Sequence, residues 1–318
     1  MTHIFVRLKN SLDILSKVIT VCGIGLAVLG LYEIAQEVLP SDTGYKTDGR
    51  SILYSITGRM GHKNQFSIAL FLTLPFALYN FFKEKNAFQW LAAGSISVVA
   101  INIFVVQTRS VWLALIGGAV VAVFLFLVFK KHISTQQGFG KSFLQKTGLV
   151  SLMFVGAFVL SQMLLTGIEQ NRLYLKADKK LNENAVESKH GQMRFTVWKL
   201  TAELGKENIL LGVGPGNWKL AVMEKIPPLK RPNRNNILRP HNDFLGAFAE
   251  TGLPGLLTYL AIFGAALFCG IKVLRSSASV EAKLMILFLL FGIVGYVIFS
   301  NFTFPRELIS HQVYLMFI

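Results

Sequence analysis

The sequence predicts an all-α polytopic membrane protein, and three observations carry that reading. Of 318 residues, 53% are hydrophobic and 15% charged, with a mean hydropathy of +0.50; a soluble domain carries about 25% charged residues. The apolar residues fall in blocks of roughly 20, enough for a helix to cross a bilayer core of about 30 Å. One extended polar stretch, 168–243, interrupts them. This composition excludes a disordered chain and argues against a soluble enzyme. The start, MTHIFVRLKNSLDILSK, lacks a short apolar core followed by a small-residue cleavage site, so no removable signal peptide is expected.

Seven complete spans are expected, at 15–39, 66–82, 87–106, 110–129, 147–167, 244–271 and 282–302. The second contains Pro75, which a membrane helix tolerates where neighbours satisfy the freed backbone group. An eighth apolar segment begins near Glu307 and reaches only Ile318. About 12 residues do not cross a bilayer, so either the chain is truncated or this last helix is incomplete. The whole of 1–318 reads as one membrane domain, with 168–243 a loop within it.

Charge sets the orientation. Short segments on the N-terminal side of the membrane hold 12 lysines and arginines and the opposite short segments hold 6. The positive-inside rule then places the N-terminus in the cytoplasm and 168–243 outside. Formal charge is +15 overall, and between Ile168 and Pro240 the long loop has fourteen basic against seven acidic residues. An outward-facing basic loop does not fit the anchoring role of cytoplasmic polybasic segments. It fits an extracytoplasmic anionic ligand, with a solvated loop touching headgroups as the plainer alternative; no nucleic-acid partner is expected. Within it, Gln192–Leu204 has amphipathic spacing, placing Phe195, Trp198 and Ala202 on one face, and Gly205 is placed to end the helix. Pro227–Pro240 should be irregular. Cys22 and Cys269 both lie in apolar blocks, which offers neither a disulfide framework nor a zinc cluster.

Three motif look-alikes fall away. Gly212-Val213-Gly214-Pro215-Gly216 lacks the βαβ context of a dinucleotide loop. Gly140-Lys141-Ser142 lacks the leading glycine of a phosphate loop, since position 135 is Thr135. Asn301-Phe302-Thr303 matches a glycosylation sequon by chance at a span end.

The charged residues left over carry the functional argument. Arg109 lies between two apolar blocks with almost no loop to hold it. An arginine at membrane depth costs up to about 2.5–3.5 kcal/mol, which favours a partner or a function over simple snorkelling. Arg194 opens the amphipathic segment, with Trp198 one turn later. His241, in Arg239-Pro240-His241-Asn242-Asp243, stands where the loop returns to the membrane. A histidine titrates near neutrality. Asn242 and Asp243 are placed either to orient its ring or to cap the next helix. The topology puts Arg109, Arg194 and His241 on one side of the membrane.

Four segments then occur in order: Arg194-Phe195-Thr196-Val197-Trp198, Leu211-Gly212-Val213-Gly214-Pro215-Gly216-Asn217, His241-Asn242-Asp243-Phe244-Leu245 and Ala249-Glu250-Thr251-Gly252-Leu253-Pro254-Gly255. Together with Gln107–Trp112 and Gly58–Asn64 they resemble the bacterial O-antigen ligase and polymerase superfamily, over about residues 55–302. The resemblance implies glycosyl transfer at the periplasmic face of the bacterial inner membrane. The donor is a glycan on undecaprenyl diphosphate, and the acceptor a sugar hydroxyl on lipid A–core or another glycan. It implies His241, Arg194 and Arg109 as catalytic residues. Arg109, Arg194 and Arg59 are the donor diphosphate partners, supported by Asn242, Trp198, Gly212, Gly214, Gly216 and Glu250. Arginine forks suit phosphate oxygens, so neither metal nor cofactor is expected, and direct attack inverts the anomeric centre. A polymerase or a protein-glycosylating enzyme of the same superfamily shares these motifs. A lipid-glycan transporter is the reading from another class, but it calls for charges at the midplane of related halves.

Overall fold

The computed structural model describes residues 2–38, 56–133, 139–170, 180–226 and 239–317, and no strand occurs among them. The helices are α1 Thr2–Val38, α2 Lys63–Lys83, α3 Ala87–Val106, α4 Arg109–Ile133, α5 Phe139–Gln170, α6 Lys180–Glu207, α7 Trp218–Glu224, α8 Asp243–Arg275, α9 Val280–Ser300 and α10 Ile309–Phe317, with a 3-10 turn at Pro305–Glu307. Seven of them, α1 to α5, α8 and α9, are long and apolar enough to cross a membrane, so the chain is an all-α polytopic membrane protein. The irregular stretch expected at Pro227–Pro240 lies, except for Arg239 and Pro240, outside the described residues. The chain divides into two compact units. The first is Met1–Arg172 with Cys269–Tyr296 and Val313–Ile318; the second is Leu173–Phe268 with Val297–Gln312.

In the first unit α2 is the central helix, with 94% of its apolar window buried. Lipid supplies little hydrophobic drive between helices, so packing and interhelical hydrogen bonds must hold them. Both are present. Asn80 of α2 donates to Thr20 Oγ1 (2.9 Å) and accepts from Ser16 Oγ (3.2 Å), both on α1. Asn102 of α3 donates to the Ala27 carbonyl at 3.1 Å. Phe71 of α2 lies 5.3 Å from Phe291 of α9, ring centre to ring centre. α5 begins several residues earlier than hydropathy predicts. Its polar first turns include Lys146, whose ammonium donates to the carbonyls of Phe81 (3.0 Å), Phe82 (3.0 Å) and Glu84 (3.3 Å) at the end of α2. A cation there satisfies carbonyls that a helix end leaves open.

Two expectations for the second unit need correcting. The amphipathic helix does form, but Gly205 does not end it: α6 runs to Glu207. Its inward face is also different. Val197, Thr201 and Leu204 are buried, whereas Phe195 is 70% exposed. The continuous span expected at 244–271 is two helices joined at Gly252, whose φ of 68° and ψ of −168° are not helical. Pro254 follows near the start of the second segment, where its missing N–H costs nothing.

Gly118 of α4 gives a test of the first unit. A Cβ there would stand 2.8 Å from the Phe291 carbonyl oxygen and from its ring, whereas one at Gly94 meets nothing within 4 Å. Gly118→Leu should lower the thermal midpoint of the detergent-purified protein, by the equivalent of about 1–3 kcal/mol. Gly94→Leu should leave it unchanged. Equal midpoints for the two variants would refute the close α4–α9 approach.

Candidate functional site

The site of the second unit is built on a backbone clasp. After α6 the chain turns through Asn208–Asn217 and lies against the break in α8. Val213 N donates to the Ala249 carbonyl (2.9 Å), Gly214 N to that of Glu250 (3.0 Å), and Leu253 N to that of Ile209 (2.7 Å). Main chain approaches main chain this closely only without side chains between them. At Gly212 (φ +65°) an added Cβ would collide with the Glu250 and Thr251 backbone, and at Gly252 (φ +68°) with that of Ile209 and Leu210. Beneath the clasp Val197, Leu204, Trp218, Val222, Ile226 and Ala249 form a small core. Trp218 Nε1 donates to Thr201 Oγ1 at 3.0 Å.

The clasp sets apart a short helix, 243–251, ahead of the spanning part of α8. Asp243, Gly246 and Glu250 share one face of it at i, i+3, i+7 spacing, and all three line a cavity of about 330 Å³. Glu250 holds two segments at once. Its Oε1 accepts from Gly216 N (3.1 Å), and its Oε2 accepts from Arg306 Nη2 (2.9 Å). Arg306 N donates to Asp243 Oδ2 at 2.9 Å. Arg239 pairs with Glu307, and its guanidinium lies 4.3 Å over the Phe304 ring.

His241 sits beside this cavity, between Pro240 and the start of α8. Its backbone is left-handed, φ 53°. The preceding carbonyl, of Pro240, accepts from Trp198 Nε1 at 3.0 Å. Its ring meets Phe304 edge to face at 5.4 Å. Asn242 caps α8 through its side-chain oxygen, which accepts from Leu245 N at 3.0 Å. Of the two roles open to Asn242 in sequence, the structure displays the cap. Arg194 is exposed one turn before Trp198 on α6.

Arg59 and Arg109 belong to the first unit. Arg109 is the first residue of α4, exposed, with no acidic residue in that first turn. The neighbouring Thr108 hydroxyl lies 2.9 Å from that of Ser67 and 3.4 Å from Asn64 Oδ1, which ties Gln107–Trp112 to Gly58–Asn64. The loop carrying Arg59 is pinned by Glu33 of α1, whose carboxylate accepts from Thr57 N (2.7 Å), Gly58 N (2.8 Å) and Arg59 N (3.3 Å).

Among the described residues, three that are not glycine have positive φ: Arg59 (61°), Gln107 (54°) and His241 (53°). Each lies in or beside a motif singled out in the sequence. A left-handed residue with a Cβ costs roughly 1–2 kcal/mol, and such strain gathers where function needs a fixed geometry. Arg306, Glu307, Arg239 and Lys219, which also line or flank the cavity, were not recognised in the sequence. The one available signal was the Pro305-Arg306-Glu307 triplet in an otherwise apolar end of the chain.

A sequence profile of the family described as O-antigen ligase matches residues 94–260, just over half of the chain. The chain therefore belongs to the O-antigen ligase family. No curated protein matches it. The matched region includes Arg109, Arg194, the glycine loop, His241 and Glu250; Arg59 and Arg306 lie outside it.

Gly212 tests the clasp. Gly212→Ala keeps size and polarity nearly constant, yet it demands φ +65° of a residue with a Cβ pressed on the Glu250 backbone. It should cost roughly 2 kcal/mol, read as faster proteolysis of purified protein between α6 and α7. Wild-type resistance in this variant would show that the clasp does not hold the unit together.

Proposed function

We propose that the chain, as a member of the O-antigen ligase family, transfers a glycan from undecaprenyl diphosphate to a sugar hydroxyl on lipid A–core, at the periplasmic face of the inner membrane. The observation that carries this reading is the coincidence of backbone strain with Arg59, the Gln107–Arg109 turn and His241. These are the residues a phosphate-leaving glycosyl transfer needs held still.

In this reading the acceptor hydroxyl gives its proton to the His241 imidazole, and its oxygen attacks the anomeric carbon. The bond from that carbon to the diphosphate oxygen breaks, with inversion, and undecaprenyl diphosphate leaves. Arg109 and Arg194, with Arg59, neutralise the charge that develops on the leaving group. Arg109 is well suited to this, because the first turn of α4 adds the positive end of a helix dipole to its guanidinium. Trp198, through the Pro240 carbonyl, and Asn242, through its cap on α8, keep His241 in register.

Two variants, each read for abundance, donor binding and transfer, test the residues. Arg109→Lys keeps the charge and loses the fork, so donor binding should weaken and transfer fall with it. His241→Ala should leave donor binding intact and cut transfer by about 10² to 10⁴. Wild-type transfer per molecule in either variant removes that residue from the site. In cells, loss of the chain should remove long glycan from lipid A while lipid-linked polymer persists; shortened polymer would indicate a polymerase instead.

The proposed orientation has its own test. In a Cys22→Ser, Cys269→Ser background, Lys206→Cys in the loop should react with a membrane-impermeant thiol reagent on intact spheroplasts, and Lys131→Cys at the end of α4 should not. The reverse pattern overturns the orientation.

A further inference from the structure

The cavity of the second unit differs in charge from what a diphosphate requires. Three basic side chains, Lys219, Arg239 and Arg306, and three acidic ones, Asp243, Glu250 and Glu307, line it. Arg306 is already paired with Glu250, and Arg239 with Glu307. A phosphate ester entering here would meet two cations already engaged by carboxylates. Its volume, about 330 Å³, falls at the small end of the range of roughly 300–1,000 Å³ for small-molecule sites. Gly246 keeps the floor low: a Cβ there would already stand 3.0 Å from Pro240 Cγ and 3.7 Å from Arg306 Nη2.

Carboxylates paired with guanidinium groups match one ligand chemistry well. A carboxylate only accepts hydrogen bonds, and a guanidinium only donates them. The hydroxyls of a sugar ring do both, so each can bridge an acid and a base on this wall. Asp243 is 3% exposed and fixed by the Arg306 amide, so it is preorganised rather than solvated. The cavity is also adjacent to the catalytic candidate. Pro240 and Asp243 line it, and His241 lies between them in the chain. Phe304 meets both the His241 ring and the Arg239 guanidinium.

We propose that this cavity is a subsite for an uncharged, polyhydroxylated sugar ring, and that the ring belongs to the acceptor. The second clause rests on the glycosyl-transfer reading above: the hydroxyl that His241 deprotonates is the acceptor's, so the ring carrying it must dock beside His241. The subsite orients that ring and contributes no proton transfer itself.

The test uses the full chain in detergent micelles and two probes. One is a neutral hexose oligosaccharide of the outer core, free of phosphate and acidic sugar; the other is undecaprenyl diphosphate bearing one N-acetylglucosamine. Saturation-transfer NMR reads saccharide binding without requiring turnover. Lys219→Ala and Glu307→Gln change exposed side chains and leave the Glu250–Arg306 pair in place. Each should weaken oligosaccharide binding roughly tenfold, the scale of one lost charged hydrogen bond, and raise the KM for acceptor with the KM for donor unchanged. A rise in the donor KM alone would assign the cavity to the donor glycan and overturn the proposal. Unchanged oligosaccharide binding in both variants would show that no sugar docks there. Absence of transfer by the wild-type protein, with oligosaccharide binding that still depends on Lys219 and Glu307, would instead defeat the glycosyl-transfer reading and leave the sugar subsite standing.

Discussion

The close approach of two backbones, Ile209–Gly214 against Ala249–Leu253, governs the second unit. It requires glycine on both sides, Gly212 on the loop and Gly252 on the helix. Because the loop docks on the break in α8, the 243–251 segment is fixed independently of the spanning helix that follows. That fixes one face, Asp243, Gly246 and Glu250, toward the cavity. Glu250 can then reach Gly216 on one side and Arg306 on the other. Gly212 of the glycine motif and Gly252 of the Glu250-Thr251-Gly252 motif are thus two halves of one contact.

The first unit depends on a different constraint. Its central helix, α2, is enclosed by neighbours, so its polar side chains must find partners inside the bundle. Asn80 takes Ser16 and Thr20, and Ser67 takes Thr108. The last of these fixes the turn ahead of Arg109. A core hydrogen bond therefore sets where a functional candidate enters α4, and packing and function are not separable there.

The spans were legible because hydropathy is a property of composition, and seven helices follow it closely. Composition does not report φ, so the break at Gly252 was read as continuous helix. The Gly252-Leu253-Pro254 sequence was the available signal for it. The inward face of α6 was misassigned for a related reason. Phe195 and Trp198 look like core by size. In a chain rich in outward-facing apolar surface, size does not mark burial, and the small core beneath the clasp selects Val197, Thr201 and Leu204 instead. Arg109 and His241 stand out in the sequence because one is costly at membrane depth and the other titratable where the loop returns, whereas Arg194 stands out through its place in the motif order. Arg306 escaped because its partners, Glu250 and Asp243, lie 56 and 63 residues away in the chain.

Charge accounting changes between the two scales. Along the sequence the long loop is strongly basic, which suggested a single anionic ligand. At the cavity the bases and acids are equal in number and largely paired. Pairing matters because an arginine engaged with a carboxylate offers less to a phosphate while still presenting N–H donors to a hydroxyl. Arg109 has a different setting, at the head of a helix whose first turn carries no acid. A transfer from a diphosphate to a sugar hydroxyl presents an enzyme with both kinds of ligand, one highly anionic and one neutral. Surplus cations suit the first, and a balanced, hydrogen-bonding wall suits the second. At the cavity Glu250 and Glu307 offset Arg306 and Arg239 pair by pair, so a net basic chain presents a locally balanced wall there.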